Sequence, residues 1–192
     1  SRTQVRLNFT LKFNRVGDTC TRVGVNKIGY VSVRVGDFYH YFDVYYLAKE
    51  AYVVNKSNVW YREMNINSRS AEDLRLISSL INEAFHQSGG KREASSSANL
   101  FSAANAFVVT WDNLSEEINT TNVNTFQLVF AQSAAQESFV LYLFDRCDSV
   151  AERSIVPIDN RQNYLIWDGS IMNWNGPTFP RFKFNGTESN VN

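Results

Sequence analysis

Three apolar stretches in the second half of the chain decide the fold: AFVVTWDNL (106–114), NTFQLVFAQ (124–132) and SFVLYLF (138–144). The first and the third are nearly continuous runs of β-branched and aromatic residues, which are typical of strands covered on both faces. The second alternates between apolar and polar residues from Phe126 to Phe130, with the two-residue period of a strand. We therefore predict three strands here, with Trp111 and Phe126 as core positions on neighbouring strands.

The first half of the chain also contains strand patterns. Residues 5–13 alternate strictly between apolar and polar side chains, so one face of this strand is expected to be buried and the other wet. Similar alternation, or a short run of aromatic and β-branched residues, predicts further strands at 30–35, 38–47, 59–64, 155–158 and 164–167.

One segment has the period of a helix. Between Ala71 and His86 the apolar residues recur at steps of three and four, and Ser70 with Asp73 resembles a capping box at the start. We predict one amphipathic helix over about 70–87, packed on a sheet. Since helices do not alternate with strands, a doubly wound α/β fold is excluded. The predicted class is α+β, mostly β, an antiparallel sandwich-like assembly with this helix on it.

The length of 192 residues fits one ordinary domain, which we predict to span 1–183. The segment QSGGKREASSSAN (87–99) is rich in Gly and Ser, so a mobile loop is expected there. It is not a domain boundary, because the apolar strands after it need partners from before it. Residues 184–192 show no pattern and are predicted to be a tail or linker.

The charge balance limits the possible partners. Lys and Arg number 19, as do Asp and Glu, so the formal net charge is zero. This disfavours a nucleic-acid binder, which needs excess cations, and also a polybasic membrane-surface module. No apolar run approaches about 18 residues, so no insertion into a membrane is expected. The opening sequence is not a signal peptide, which indicates a piece of a longer protein or a processed product.

Motifs for catalysis, metals and cofactors are absent from the sequence. It contains no GxSxG, HExxH, CxxC or EF-hand loop, so no catalytic residue, metal site or cofactor is predicted. A hydrolase hypothesis would use Asp112, Glu116 or Glu117, which cluster after a strand. Acidic residues in such turns are usually solvated turn formers, which is the simpler interpretation.

Five Asn-x-Ser/Thr sequons are candidate glycosylation sites: Asn8, Asn55, Asn113, Asn119 and Asn185. Asn8 falls on the wet face of its predicted strand, as a glycan requires. The alternative is that these are ordinary polar turns in an Asn-rich chain.

Two cysteines, Cys20 and Cys147, allow one disulfide. In an oxidising compartment this bond would close a loop of more than a hundred residues and stabilise the fold by about 4–5 kcal/mol. The alternative is two free cysteines.

The strand motifs resemble those of a known extracellular family, the nidogen-like (NIDO) domain of nidogen, α-tectorin and membrane mucins. The three stretches quoted first carry the resemblance. Further segments extend it over 25–174: VNKIGYVSV (25–33), VWYRE (59–63), the helix and YLIWDGSIMNW (164–174). The resemblance implies an extracellular, modular, non-enzymatic protein associated with matrix and cell adhesion. The Trp and Phe residues in these motifs are then packing residues and form no reactive site.

Two functions are consistent with these patterns. The first is an extracellular module that supports cell–matrix adhesion by binding matrix or cell-surface proteins, with glycans as further possible partners; Tyr39, Tyr41 and Tyr45 are candidates for an aromatic contact patch. The alternative is a carbohydrate-binding β-sandwich module that would use Trp167, Asn173 and Trp174.

Overall fold

The structure is a computed structural model that describes residues 2–13, 18–35, 38–43, 58–87, 100–114, 123–147, 164–167, 171–174 and 189–190. The elements of this described part are β1 (Arg2–Phe13), β2 (Asp18–Asn26), β3 (Tyr30–Val35), β4 (Phe38–Asp43), β5 (Asn58–Asn65), α1 (Ala71–Gln87), β6 (Ala103–Leu114), β7 (Asn124–Ser133), β8 (Ser138–Cys147), β9 (Tyr164–Trp167), β10 (Ile171–Trp174) and β11 (Ser189–Asn190). The loop was predicted at 87–99, and its first residue, Gln87, ends α1. The rest of that loop and the strand predicted at 155–158 lie outside the described residues.

The strands form two antiparallel sheets. One has four strands in the order β1-β2-β3-β4, and the other has seven in the order β10-β9-β8-β7-β6-β5-β11. Neighbouring strands are mostly consecutive in the chain, as expected for sheets built from hairpins and short connections. The predicted class, mostly β with one helix on an antiparallel sandwich-like assembly, is confirmed.

The seven-stranded sheet is covered on both faces. Along β6, Phe107, Val109 and Trp111 pack against the four-stranded sheet, whereas Ala106 and Val108 pack on the side of the helix. Every residue of β7 is buried. An edge-to-face contact of Phe42 with Phe130, with ring centroids 5.1 Å apart, joins the two sheets. The apolar runs in the sequence are therefore explained by the position of β6 and β7 in the middle of the central layer, covered on both faces.

The helix covers the second face of the central sheet, as its pattern predicts. Its buried stripe consists of Leu74, Ile77, Leu80, Ile81 and Ala84. Two polar ties fix it beside the start of β6. The hydroxyl of Ser78 accepts a hydrogen bond from the Ala103 N–H (2.8 Å), and the amide of Asn82 exchanges two 2.8 Å hydrogen bonds with the backbone of Phe101. Phe101 also meets Phe139 of β8 edge to face.

The first strand is irregular between Arg6 and Leu11, where its pairing with β2 shifts register. Polar side chains of the central sheet bond the backbone of this stretch and the residue that follows it. Glu63 accepts a hydrogen bond from the Asn8 N–H (2.7 Å), Gln132 donates to the Thr10 carbonyl, and Ser138 accepts from the Lys12 N–H (3.2 Å). These contacts satisfy backbone groups that the bulged strand does not pair.

The cysteines do not form the predicted disulfide in this structure. Within the described residues Cys20 is a free, buried thiol that donates a hydrogen bond to the Arg22 carbonyl (2.8 Å). Cys20 pairs with Leu11, beside Lys12, whose N–H bonds Ser138 at the beginning of β8. Cys147 ends that strand, nine residues and about 30 Å further along it. Cysteines can be bridged only when their Cα atoms are within about 7 Å.

The end of the chain also differs from its prediction. Within the predicted tail, Ser189–Asn190 forms a short strand that pairs with Tyr61 and Trp60 at the edge of β5. A two-residue strand carries no period, so the sequence pattern could not show it.

Candidate interaction face on the four-stranded sheet

The outer surface of the four-stranded sheet is rich in arginine and tyrosine. In β1, β2 and β3 the residues that point into the core are apolar, and those between them point away from it. We call the outward group of Arg2, Arg6, Arg22, Arg34, Tyr30 and Tyr41 the arginine–tyrosine face. Its four arginines are exposed, and Tyr41 is 57% exposed.

Three arginines lie side by side across three strands. Arg6 is directly opposite Arg22 in the pairing of β1 with β2. Val23 of β2 pairs with Val33 of β3 in an antiparallel register. One residue further, the same register places Arg22 beside Arg34. Adjacent strands are about 4.8 Å apart, so this arginine row (Arg6, Arg22, Arg34) spans about 10 Å at the backbone.

A fourth arginine lies across the centre of the face. The guanidinium of Arg2 donates from Nε and Nη2 to the side-chain oxygen of Gln4, both at 2.8 Å. It passes over Gly24, where an added Cβ would lie 2.3 Å from Nε of Arg2 and 2.6 Å from the Ser32 hydroxyl. Gly24 is therefore required for this close approach, because any side chain would displace Arg2 or Ser32.

The tyrosines are held by a chain of contacts that begins in the core. The Trp111 indole N–H donates to the Asn26 carbonyl (2.8 Å), and the Asn26 amide donates to the Tyr30 hydroxyl (2.9 Å). Tyr30 meets Tyr41 edge to face, with centroids 5.8 Å apart. Gly29, at φ 97°, makes the turn between β2 and β3 possible. The exposed ring pair is thus anchored to a buried tryptophan.

The described side chains of the four-stranded sheet include no carboxylate. Among the residues of this sheet whose side chains are described (2–12, 19–34, 41 and 42), none is acidic; the side chains of Asp18 and Asp43 lie outside this set. The carboxylate of Glu63 approaches β1 from the central sheet and bonds Asn8. On the other side of the central sheet, α1 carries exposed charges of both signs, Glu72 and Glu83 as well as Arg75.

Two of the predicted glycosylation sites can be placed. Asn8 is exposed on β1, and its side-chain amide donates to Oε2 of Glu63 (3.1 Å). Asn113 is half-buried with a left-handed backbone (φ 55°) at a bulge of β6. Asn55, Asn119 and Asn185 lie outside the described residues. Glycosylation at all five positions stays a prediction.

The acidic cluster proposed for hydrolysis is only partly described. Asp112 accepts a hydrogen bond from the Thr125 hydroxyl (3.3 Å), and that hydroxyl accepts from the Asn113 N–H (3.1 Å), so these groups shape the bulge between the Trp111–Phe126 and Leu114–Asn124 pairs of β6 and β7. Glu116 and Glu117 lie outside the described residues. In the part of the chain that the structure describes, no three His, Cys, Asp or Glu side chains lie together as a metal site would require.

The motif residues of β6 and β7 lie in the core, as predicted. Trp111 and Phe126 are fully buried with ring centroids 5.1 Å apart. On the opposite face of the same sheet, the Gln127 amide donates to the Thr110 hydroxyl at 2.7 Å, and both residues are buried. The motif thus packs rings on one face and pairs polar groups on the other.

Comparison with known families identifies the domain to which these motif residues belong. A model of the nidogen-like domain matches residues 25–152, two thirds of the chain. The chain belongs to the nidogen-like domain family. No curated protein and no solved structure matches it. Domains of this family occur in extracellular proteins of the matrix and cell surface and are in general non-enzymatic modules. No helix among the described residues has the length and apolar character to cross a membrane.

A second motif of this nidogen-like domain, VWYRE (59–63), ties its layers together. Arg62 points to the helix side and forms an ion pair with Asp73 of α1 (3.0 Å), whereas Glu63 points to the four-stranded sheet and bonds Asn8. Just before them, Tyr61 packs on Phe107. Adjacent residues of a strand point to opposite faces, so two consecutive charges reach two different layers.

The arginine row was not predicted from the sequence. Of its predicted aromatic patch, Tyr41 is indeed exposed, while Tyr45 and the side chain of Tyr39 lie outside the described residues, as do the side chains of Trp167, Asn173 and Trp174. Arg6, Arg22 and Arg34 are far apart in sequence, and only the strand register brings them together. Arg6 and Arg34 occupy polar positions of predicted strands, but Arg22 lies on β2, a strand that was not predicted from the sequence.

Proposed function

We propose that this nidogen-like domain is a non-enzymatic module that supports cell–matrix adhesion, and that the arginine–tyrosine face is its contact surface. The observation that carries the proposal is the cross-strand pair of Arg6 and Arg22. Like charges directly opposite each other destabilise a sheet. The Arg6–Arg22 pair therefore does not stabilise the sheet. It does favour binding of a negatively charged partner.

The side chains of the face suit binding. Arginine forms planar, two-pronged hydrogen bonds with carboxylate or sulfate groups, and a tyrosine ring adds contact area at low entropic cost. Arginine and tyrosine are enriched among the residues that dominate binding energy. A concentrated positive potential also speeds encounter with an acidic partner.

The partners we propose are matrix or cell-surface proteins and their glycans, outside the cell. At physiological salt a charge is screened beyond about 8 Å, so the four arginines act together only because the sheet gathers them on one side.

The adhesion proposal can be tested with the isolated chain coated on a plate. Cells should attach to the wild-type domain and attach markedly less to the double variant R6Q/R22Q. The matched control is R69Q/R75Q, which removes two exposed positive charges outside the face and should leave attachment unchanged. Equal attachment to all three proteins would remove the face from any role in adhesion.

The extracellular assignment predicts glycosylation at an accessible sequon. We expect the domain, produced through a secretory route, to lose mass on treatment with an N-glycosidase, and N8Q to lose one glycan because Asn8 is exposed. A secreted protein with unmodified mass at every sequon would contradict the glycoprotein prediction.

A further inference from the structure

We propose that the arginine row binds a sulfated linear polysaccharide. This inference rests on the proposed contact function of the arginine–tyrosine face and names the chemistry of its ligand. The row offers three guanidinium groups on adjacent strands, within about 10 Å at the backbone, and the exposed ring of Tyr41 lies on the same face.

The three neighbouring positive charges of the row favour a ligand whose negative charges are also closely spaced. Each guanidinium presents a fork of N–H donors that fits the oxygens of a sulfate group, and such charge-assisted hydrogen bonds are short and strong. A sulfate placed between Arg6 and Arg22 turns their mutual repulsion into two attractions. Since sulfate remains ionised at all physiological pH values, this binding does not depend on protonation of the ligand.

An acidic peptide is the competing class of ligand. In an extended peptide, carboxylates on one side are two residues and about 6.7 Å apart, compared with about 4.8 Å at the backbone between neighbouring strands of the row. A sulfated sugar chain carries several anionic groups on neighbouring rings, so it can supply one to each arginine. Its sugar rings can also pack against the exposed apolar ring of Tyr41.

Nucleic acid has a sufficient charge density, but the molecule is poorly suited to it. The formal net charge is zero, so the chain lacks the excess of cations with which nucleic-acid binders neutralise many phosphates along a duplex. The family also occurs in extracellular proteins. A sulfated polysaccharide is therefore the ligand class that matches both the row and its setting.

The test measures binding of the chain to a fluorescent heparin oligosaccharide over a range of salt concentrations. We expect R6Q/R22Q to bind about ten- to a hundredfold more weakly than the wild type, since two charge-assisted contacts are lost. The slope of log Kd against log salt should fall by about two, one counterion for each contact. The control R69Q/R75Q has the same net charge as R6Q/R22Q and should bind as the wild type does.

A stability measurement separates a binding role from a structural one. Removing the Arg6–Arg22 repulsion should leave the Tm of R6Q/R22Q equal to or above that of the wild type. If the variant instead unfolds at a clearly lower temperature, the arginines serve the fold and the proposal is wrong. Y41A, which leaves the row intact, should weaken binding without changing the salt slope.

Three further probes identify the ligand class. Desulfated heparin should not compete, whereas equal competition by it, by poly-glutamate or by duplex DNA would overturn the assignment to sulfated polysaccharide. If cells attach less to R6Q/R22Q but the wild type does not bind heparin, the adhesion function stands and only this ligand is ruled out. If R6Q/R22Q loses heparin binding but cells attach to it as they do to the wild type, the ligand stands and the face has no role in adhesion.

Discussion

At the scale of single residues, the turn between β2 and β3 shows how one motif serves both core and surface. In the Asn-x-x-Gly-Tyr part of VNKIGYVSV (25–33), Asn26 accepts from the Ile28 N–H through its side-chain oxygen (3.1 Å) and donates to Tyr30, and its carbonyl accepts from Trp111. Gly29 supplies a backbone conformation that residues with a Cβ rarely adopt. Each residue type therefore follows from a contact or a dihedral angle.

Replacement of Gly29 by alanine should destabilise the domain by roughly 1–2 kcal/mol, because φ 97° is strained for a residue with a Cβ. The reverse change is available at Gln136, which has φ 65°, so Q136G relieves strain and should cost little or raise stability. Urea unfolding of both variants measures the two effects, and a G29A variant as stable as the wild type would show that the turn is not strained.

Cys20 should make stability depend on pH in the alkaline range. Burial raises the pKa of its thiol, and backbone hydrogen bonds with Arg22 and Arg34 oppose this only in part. Between the ordinary thiol pKa and the raised one, the unfolded chain binds fewer protons than the folded protein, so stability falls as pH rises through that window. In C20A this component of the pH dependence should disappear, as equilibrium unfolding at a series of pH values can show.

The same burial protects Cys20 from reaction. In the native protein at neutral pH it should react slowly with iodoacetamide, because the thiolate is the reactive form. In urea it should be alkylated without prior reduction. Peptide mapping that finds Cys20 in a disulfide would contradict the free thiol of this structure.

At the scale of elements, β5 is the strand that links all three layers. Val59 and Tyr61 pack between the sheets, and Met64 belongs to the helix-side core. Arg62 reaches the helix, and Glu63 reaches β1. The ion pair is partly protected from water, since the Arg62 side chain is 10% exposed and that of Asp73 34%. Asp73 also lies in the first turn of α1, where a negative charge is favoured.

The variant D73A should lose about 1–2 kcal/mol more stability than E72A. Both remove a carboxylate from the first helical turn and so lose a similar helix-dipole interaction, but only D73A leaves the Arg62 guanidinium without this partner. The partial exposure of Asp73 keeps the effect below that of a fully buried pair. Thermal or urea unfolding of the two variants gives the difference, and equal losses would mean that the pair adds nothing.

At the scale of the whole molecule, a single sheet supports two cores. Alternate residues of β6, β7 and β8 belong to one core shared with the four-stranded sheet and to another shared with α1. Loss of either cover would expose the apolar face of the same strands to water. The two cores are therefore expected to unfold together.

We predict that I81A, in the helix-side core, and L128A, in the inter-sheet core, each destabilise the domain by about 2–5 kcal/mol within one cooperative transition. Tryptophan fluorescence and far-UV circular dichroism should give the same urea midpoint for each variant. Two separate transitions, of which only one responds to I81A, would show that the layers fold independently.

The sequence by itself determined the fold class, the helix and the core positions. The period of two predicts which residues of β1 and β3 face inward, and the doubly apolar runs around Trp111 predict a strand covered on both sides. These features are local, because the direction of a side chain depends only on its position along a strand or helix. For the same reason the family motif could be recognised from short segments.

Only the tertiary structure decided the candidate site and the state of the cysteine. The sequence contains Arg6, Arg22 and Arg34 as three separate residues, and the arginine row exists because strand register aligns them. Likewise, Cys20 and Cys147 are two thiols in the sequence, and the strands that carry them hold them at distant parts of the sandwich. Pairing between segments far apart in the chain depends on register and packing, which the pattern within one segment does not encode.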